Sequence, residues 1–157
     1  MIIRQALESD APEMAEIFNH AIETSVASWL PEPVPVSNRV DWIRTHTAFV
    51  AELDGRVVGF AGYGPWRDSP AYRFTVEDSI YISPAAAGKG VGSALMSTLI
   101  DAAKQAHLRR MVASIEAENE ASIALHRKFG FEFVGTMPGV GEKWERELDL
   151  SLWLKCL

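Results

Sequence analysis

Apolar residues recur at two spacings along this chain, and the change between them separates helices from strands. Apolar positions three and four residues apart predict helices after Asp10, after Ser37, after residue 92 and over Glu120 to Phe129. Short β-rich runs predict seven strands, at Ile2 to Ala6, Phe49 to Leu53, Val57 to Tyr63, Thr75 to Ile82, Met111 to Ile115, Phe133 to Met137 and Glu147 to Leu154. The order β-α-α-β-β-β-α-β-α-β-β indicates an α/β fold of the α+β type, a mixed sheet with helices on both faces.

Turn and cap residues set the ends of these elements. Asp10 is predicted to cap the first helix in a capping box with Glu13, and Ser37 to cap the second. Asp54-Gly55 is typical of a tight hairpin turn, and Gly130 predicts the end of the fourth helix. With 157 residues and neither repeats nor a linker, we expect one domain spanning 1–157.

Composition excludes several classes of function. Hydrophobic residues make up 48% of the chain and charged residues 23%, which is ordinary for a folded domain. The net charge of −6 argues against a nucleic-acid partner. No apolar run reaches membrane-spanning length and the first residues lack signal-peptide architecture, so no membrane partner is expected. The lone cysteine, Cys156, favours a reducing, cytoplasmic location.

The segment from Ser83 to Ser93, SPAAAGKGVGS, is the most informative part of the chain. It connects a predicted strand to a predicted helix, and its glycines let successive backbone N–H groups converge on one point. Together with the positive end of the helix, such a turn binds phosphate or pyrophosphate. We therefore expect a nucleotide-like cofactor, the alternative being a glycine-rich connection without a ligand.

Two common phosphate motifs do not fit the spacing of this turn. A P-loop requires G-x-x-x-x-G-K-[ST], but Gly90 follows Gly88-Lys89, and Ser83 stands where the first glycine belongs. A dinucleotide fingerprint requires G-x-G-x-x-G after the first strand, whereas here Gly88, Gly90 and Gly92 alternate in mid-chain. A different class of nucleotide-like ligand is therefore expected.

Two motifs resemble the acetyl-CoA-dependent N-acetyltransferase superfamily. Ala87, Gly90 and Gly92 occupy the three defined positions of its pyrophosphate motif, [QR]-x-x-G-x-[GA], with Ala87 departing from Gln or Arg. The chain carries a second superfamily block, N-x-x-[AS]-x-x-[LF]-[YH]-x-x-x-G-F, at Asn119, Ser122, Leu125-His126 and Gly130-Phe131. The resemblance implies the N-acetyltransferase fold, whose central mixed sheet is splayed in the middle.

Further matches resemble one branch, the phosphinothricin and methionine sulfone (methionine sulfoximine) N-acetyltransferases. They run nearly end to end, at Asn19-His20, Ile22 to Trp29, Gly64 to Arg67, Tyr72-Arg73, Thr75 to Glu77 and Met137 to Gly141. Enzymes of this branch acetylate the α-amine of small amino acids such as phosphinothricin, methionine sulfoximine, methionine sulfone and methionine. The resemblance implies an acetyl-CoA-dependent enzyme with a small amino-acid acceptor, cytoplasmic and homodimeric.

The resemblance also implies where acetyl-CoA lies. The backbone of Ile80, Tyr81 and Ile82 is expected to pair with pantetheine like an added strand, one N–H polarising the thioester carbonyl. Asn119 and Ser122 are expected to complete this part of the site. The pyrophosphate is expected on the turn, at Gly88, Lys89, Gly90, Val91, Gly92 and Ser93.

An ammonium group cannot attack a thioester until it loses a proton, so the reaction needs a base. Glu77 stands at the T-V-E position of the branch, and the resemblance implies that it is the general base. Arg67 and Arg73 are expected to bind the α-carboxylate of the acceptor with a planar guanidinium, and Trp29 to add an apolar wall. Without the resemblance, Glu77 is a solvent-facing strand residue and the arginines are solvated loop charges.

Three further residues are candidates at the site. His126 stands where many superfamily members carry Tyr, and could protonate the leaving thiolate; the alternative is a packed histidine bonded to a carbonyl. Relatives often carry His after the glutamate, but here Asp78 follows, and with Ser79 it is expected at the acceptor site. Asp78 would favour a cationic acceptor unless it points to the other face. No cluster has metal-ligand spacing, so no metal is expected.

Two other functions compete with acetylation of a free amino acid. One is N-terminal acetylation of a protein or peptide on the same scaffold, and the other is a non-catalytic acyl-CoA-binding sensor. A pocket-lining Arg67 or Arg73 would favour the free amino acid, and an open groove the peptide. The presence of Glu77 argues against the sensor.

Overall fold

The computed structural model, which describes residues 1–157, contains seven strands and four helices in the order predicted from the sequence. The strands are β1 (Ile2–Gln5), β2 (Thr47–Leu53), β3 (Arg56–Pro65), β4 (Thr75–Ile82), β5 (Arg110–Glu116), β6 (Glu132–Lys143) and β7 (Arg146–Cys156). The helices are α1 (Ala11–Thr24), α2 (Val36–Thr45), α3 (Val91–Gln105) and α4 (Glu120–Lys128). The sheet order is β1-β2-β3-β4-β5-β7-β6, and only β4 and β5 are parallel, which confirms the mixed sheet.

The parallel strands β4 and β5 separate after a short contact. Their pairing runs from Thr75 opposite Arg110 to Glu77 opposite Val112 and then stops. Beyond that point β4 stays on β3 and β5 stays on β7, each through the rest of its length. The sheet therefore opens into a V at Asp78, as the resemblance implied.

Helices cover both faces of the sheet, and α1 and α3 each bury an apolar stripe. On one face α3 buries Leu95, Met96 and Leu99 completely. On the other face α1 buries Met14 and Ile22 against the same sheet. Successive strand residues point to opposite faces, so β4 presents alternate side chains to the α1 and α3 sides.

Two predicted helix caps are wrong. The side chain of Asp10 binds the Arg4 guanidinium through two 2.8 Å contacts and does not cap α1, and Glu13 accepts instead from the Val57 backbone N–H at 3.0 Å. A 3-10 turn leads directly into α1 with Asp10 in helical conformation, so its carboxylate cannot fold back over the first turn. The second helix begins at Val36 rather than after Ser37, without a side-chain cap.

The sixth strand is longer than its sequence pattern indicates. It was expected to end at Met137 but continues to Lys143, paired with β7. Irregular pairing between Phe133 and Gly135 and between Met137 and Gly141 breaks the alternation of apolar and polar residues. The period-2 signal is therefore lost where the strand continues.

Candidate active site

A cavity of about 550 Å³ lies where β4 and β5 diverge. Its walls come from β4, from β5, from the end of α1 and the segment after it, and from α4. The sequence-predicted residues that line it are Glu77, Asp78, Ser79, Ile80, Tyr81, Ile82, Asn119, Ser122 and His126. The V in the sheet therefore brings together residues from four separate parts of the chain.

Glu77 lies on the wall of this cavity and is half-buried. Burial raises the pKa of Glu77, and the nearby charge of Asp78 adds to the rise. A hydrogen bond from the Ser114 hydroxyl and the charge of Arg67 lower the pKa, but they do not cancel the effect of burial. Glu77 is thus a stronger base than an exposed glutamate.

Asp78 points to the other face of β4 and is buried with His126 of α4. The Asp78 Oδ2 and His126 Nε2 atoms are 2.9 Å apart, and His126 Nδ1 lies 2.7 Å from the Ser122 carbonyl oxygen. Burial alone would lower the pKa of His126, but the hydrogen bond and charge of Asp78, with the Ser122 carbonyl, raise it. The Asp78 Oδ1 atom is buried and has no hydrogen-bond partner.

The glycine-rich turn has the backbone geometry of an anion site. Gly88 and Gly90 have φ of +74° and +79°, in the left-handed region that favours glycine. The N–H of Ala94 bonds to the Gly90 carbonyl, so the N–H groups of 91–93 precede the first bond of α3. Three unpaired donors at the positive end of a helix suit a pyrophosphate, and fit the CoA portion of acetyl-CoA.

Side chains around this turn have separate structural roles. The Val91 side chain is buried in the core, and Ser93 Oγ accepts a 2.9 Å hydrogen bond from Lys128 Nζ. A Cβ on Gly92 would lie 2.9 Å from Ile82 Cδ1, so glycine allows α3 to approach β4 closely. Lys89 is exposed beside the turn. Only backbone groups and exposed side chains of this turn are therefore free for a ligand.

The predicted contacts for the acetyl donor lie on β4, at Ile80 to Ile82, and at the start of α4, at Asn119 and Ser122. Ile80 and Ile82 pack towards the α3 core, while the Tyr81 ring lies 4.9 Å from that of Phe18 on α1. Burial raises the pKa of Tyr81, although the charge of Arg39 and then the Ser28 side chain oppose the rise. The Asn119 Oδ1 atom accepts from the Ser122 N–H at 3.2 Å and so caps α4.

The structure does not bring Trp29, Arg67 or Arg73 into the cavity with Glu77. Arg67 and Arg73 line a neighbouring cavity of about 750 Å³, at the far end of β3 and the start of β4. Arg67 stacks on Trp66, and Arg73 donates to the Pro70 carbonyl. Trp29 packs on Gly141 of β6. Their roles in binding an acceptor stay predictions.

Sequence reasoning missed several residues of the cavity. Ser114 and Glu116 project from β5 into it, and Thr24 and Ser25 reach it from the end of α1. Alternation along β5 would identify residues that share a face, but not which face meets the opening. Nothing in the local sequence indicates that the end of α1 returns to β4.

Two kinds of feature are absent from the structure, a metal-binding cluster and a membrane-spanning helix. No group of three or more His, Cys, Asp or Glu side chains is arranged to hold a metal ion. None of the helices combines the length and apolar character needed to cross a membrane.

The family model of the acetyltransferase (GNAT) family matches residues 14–131, which include the whole V and the glycine-rich turn. The chain belongs to this family. It is an N-acetyltransferase, and its acetyl donor is acetyl-CoA. The superfamily resemblance drawn from the turn and from the block after Asn119 is confirmed.

Relatives within the GNAT family confirm the branch. The chain is 42% identical to L-amino acid N-acyltransferase MnaT of Escherichia coli (strain K12), over 96% of this chain and 91% of the relative. It is equally identical, with the same coverage, to L-methionine sulfoximine/L-methionine sulfone acetyltransferase of Salmonella typhimurium. Phosphinothricin N-acetyltransferase of Streptomyces coelicolor is 34% identical, over 95% of this chain and 92% of the relative.

Solved structures of GNAT proteins share the fold closely. Ribosomal-protein-alanine N-acetyltransferase from Brucella melitensis superposes with a TM-score of 0.97 and 41% identity, covering 100% of both chains. The acetyltransferase yncA from Salmonella typhimurium, solved with acetyl-CoA, gives a TM-score of 0.95 and 40% identity, over 99% of this chain and 93% of that one.

Proposed function

We propose that this GNAT enzyme acetylates the α-amine of a small free amino acid, with Glu77 as the general base. The observation that carries the proposal is the half-buried Glu77 carboxylate, whose pKa is raised, on the wall of the cavity between β4 and β5. The proposed acceptors include phosphinothricin, methionine sulfoximine and methionine sulfone, because relatives at 34–42% identity carry these substrates in their names. Methionine is proposed as the parent amino acid of the last two.

The proposed reaction is a direct transfer. The acceptor enters as an ammonium ion and gives one proton to Glu77, whose raised pKa suits it to this task. The neutral nitrogen attacks the thioester carbonyl, and the C–S bond breaks as CoA thiolate leaves. The acylated nitrogen then releases its second proton to solvent water, and the product is an N-acetylated amino acid. Backbone N–H groups of β4 are proposed to stabilise the negative charge that develops on the carbonyl oxygen.

His126 is the proposed proton source for the leaving thiolate. It is the only histidine on the α4 side of the cavity, and Asp78 favours its protonated form. Both ring nitrogens are bonded to protein oxygen atoms, so delivery requires the bond to Asp78 to break. This role is therefore expected to contribute less to the rate than proton removal by Glu77.

Arg67 is the proposed partner of the acceptor carboxylate. Its charge lowers the pKa of Glu77, so the two side chains are electrostatically coupled although they line different cavities. The Arg73 guanidinium instead bonds to its own loop through the Pro70 carbonyl. Arg67 is thus the better candidate of the pair for a bidentate contact.

Acetylation of a protein N-terminus is the second candidate. The similarity to a structure of ribosomal-protein-alanine N-acetyltransferase, at 41% identity, favours it. A peptide has no free α-carboxylate at its first residue, so it could not use the proposed contact with Arg67. The two candidates therefore differ in whether the acceptor carboxylate contributes to binding.

A thiol-release assay with acetyl-CoA tests both candidates. The acceptors are the four proposed amino acids, their carboxamides, and a peptide that begins with alanine. Turnover of an amino acid that falls on amidation supports the proposal, and turnover of the peptide alone supports the second candidate. No thiol release above background with any amine would overturn both, and would favour the non-catalytic sensor.

Assembly, domain organisation and location complete the proposal. Strand β6 carries four exposed apolar residues, and we propose that a second copy covers them in a homodimer. They are Phe133, Val134, Met137 and Val140.

Every strand joins one sheet, which supports one domain over 1–157. The exposed thiol of Cys156 supports a reducing cytoplasmic location. The proposed homodimer is tested by sedimentation velocity, which measures the oligomeric state.

A further inference from the structure

Lys143 is a buried lysine whose ammonium group binds three backbone carbonyls and lies 4.4 Å from the centroid of the Trp144 ring. Its Nζ atom donates to the carbonyl oxygens of Ile22 at 2.6 Å, Ser25 at 2.8 Å and Ser28 at 2.7 Å, and the residue is 3% exposed. An ammonium group has three N–H donors, and these contacts use all three. Burial lowers the pKa of Lys143, and no carboxylate offsets this effect.

The three carbonyls belong to one segment, residues 22–29, which we call the α1-exit segment. Carbonyls at the end of a helix lack intrahelical partners and carry the negative end of the helix dipole, so a cation is favourable there. Lys143 lies 115–121 residues away in sequence, at the end of β6. It therefore fixes the path of the chain after α1 from across the sheet.

The α1-exit segment forms one wall of the active-site cavity. Thr24, Ser25 and Ala27 line the cavity with Glu77, on the side away from α4. The Ser28 side chain lies close enough to the Tyr81 phenol to lower its pKa, and Tyr81 also lines the cavity. Since the expected acetyl-CoA contacts of α3 and α4 lie on the other side, this wall faces the acceptor.

A second contact holds the same segment on the same face of β6. Gly141 stands two residues before Lys143, where the pairing with β7 is regular, so both residues point to one face. A Cβ on Gly141 would collide with the Trp29 ring. The ammonium group and the glycine thus form one docking surface for the α1-exit segment.

We propose that Lys143 is a positioning residue that determines acceptor binding, because it holds the α1-exit segment as the acceptor wall of the cavity. This inference rests on the proposed function in one respect, that the cavity takes the amino acid beside Glu77. Lys143 touches neither substrate, so its loss should act on the acceptor and not on acetyl-CoA.

The test compares Lys143→Met, which keeps the length of the side chain and removes the charge, with Lys104→Met, an exposed lysine of α3. In Lys143→Met the KM for the amino acid should rise about 10–100-fold, since small displacements of positioning groups have effects of this size. The acetyl-CoA Kd should stay within about twofold of wild type. A change that small can be distinguished from the expected rise in the acceptor KM. Lys104→Met should change neither constant.

Hydrogen exchange tests the positioning directly, without any assay of activity. The amides of Ser25 and Ala27, which bond to the Ala21 carbonyl and to Ser25 Oγ, should exchange faster in Lys143→Met. Amides of α4 should be unchanged. Faster exchange with an unchanged acceptor KM would overturn the proposal, and so would unchanged exchange.

Gly141→Ala keeps the inference testable if Lys143→Met does not fold. It displaces Trp29 from the same docking surface and should raise the acceptor KM in the same selective way. If the acceptor KM and the acetyl-CoA Kd rise equally in these variants, the proposal is overturned. Lys143 would then stabilise the whole fold and would have no selective effect on the acceptor wall. A wild-type protein that acetylates no amino acid would instead refute the proposed function, whatever the exchange data show.

Discussion

The Asp78 carboxylate lies 2.9 Å from the His126 imidazole at the first residue of β4 beyond its pairing with β5. The other ring nitrogen faces the Ser122 carbonyl oxygen at 2.7 Å. Because a carboxylate and a carbonyl both accept hydrogen bonds, the ring satisfies them together only when both nitrogens carry a proton. The pair therefore joins α4 to the apex of the V as a buried ion pair.

Asp78→Asn should destabilise the protein in a pH-dependent way. The folded pKa of His126 is raised, so the stability that this pair contributes is complete below the unfolded pKa of about 6.5 and is lost as the pH rises through the folded value. We expect a loss of about 1–3 kcal/mol near pH 6, shrinking towards pH 9. Urea unfolding of both proteins across this range measures it.

Asp41→Asn is the matched control for Asp78, because the Asp41 side chain is 77% exposed. It should leave the free energy of unfolding nearly unchanged at every pH. A difference between wild type and Asp78→Asn that grows from pH 6 to pH 9 would contradict the protonated state of His126.

Glu77→Gln should abolish most of the catalytic rate. The amide keeps the shape of the side chain but cannot take a proton, and loss of a general base costs about 10²–10⁴-fold in kcat. The acetyl-CoA Kd should stay near that of wild type. In the wild-type enzyme, the pH profile of kcat/KM should have an acidic limb whose apparent pKa lies above the ordinary pKa of glutamate. The reason is that burial raises the pKa of Glu77. A variant with near-normal kcat would leave Glu77 without a role as base.

Gly90→Val should weaken acetyl-CoA binding. Valine at a positive φ costs about 1–2 kcal/mol, and its side chain would also keep a pyrophosphate away from the backbone N–H groups. Gly55→Val is a matched control, since Gly55 has φ of +78° against +79° at Gly90, and a Cβ at either position has open space. Both variants should lose similar stability, but only Gly90→Val should lose affinity in calorimetry with acetyl-CoA.

Arg67→Ala should raise the KM for the amino acid without affecting acetyl-CoA. A hydrogen bond to a charged group contributes about 1.5–3 kcal/mol, which corresponds to a rise of about 10–150-fold. The carboxamide of the acceptor should bind wild type as weakly as the free amino acid binds the variant. Arg73→Ala serves for comparison. If the acceptor KM rises in Arg73→Ala and not in Arg67→Ala, Arg73 is the residue that binds the carboxylate.

The sequence by itself determined the order of elements and the family. The type and order of the helices and strands follow from local spacing of apolar residues, although β6 continues past its pattern. The turn from Gly88 to Gly92 follows from backbone requirements that glycine meets. Such signals are local, since they depend on residues within a few positions of one another. The motifs around the turn and after Asn119 therefore indicated acetyl-CoA correctly, whereas the capping box at Asp10 failed because Arg4 competes for its carboxylate.

Only the tertiary structure decided which side chains meet across the sheet. Asp78 and His126 are 48 residues apart and Lys143 and Ile22 are 121 apart, so no local pattern relates them. The sequence left open whether Asp78 lies at the acceptor beside Glu77 or points to the other face of β4. That choice depends on where β4 leaves β5 and which helix covers each face, because burial and long-range contacts arise only when the separate elements pack together.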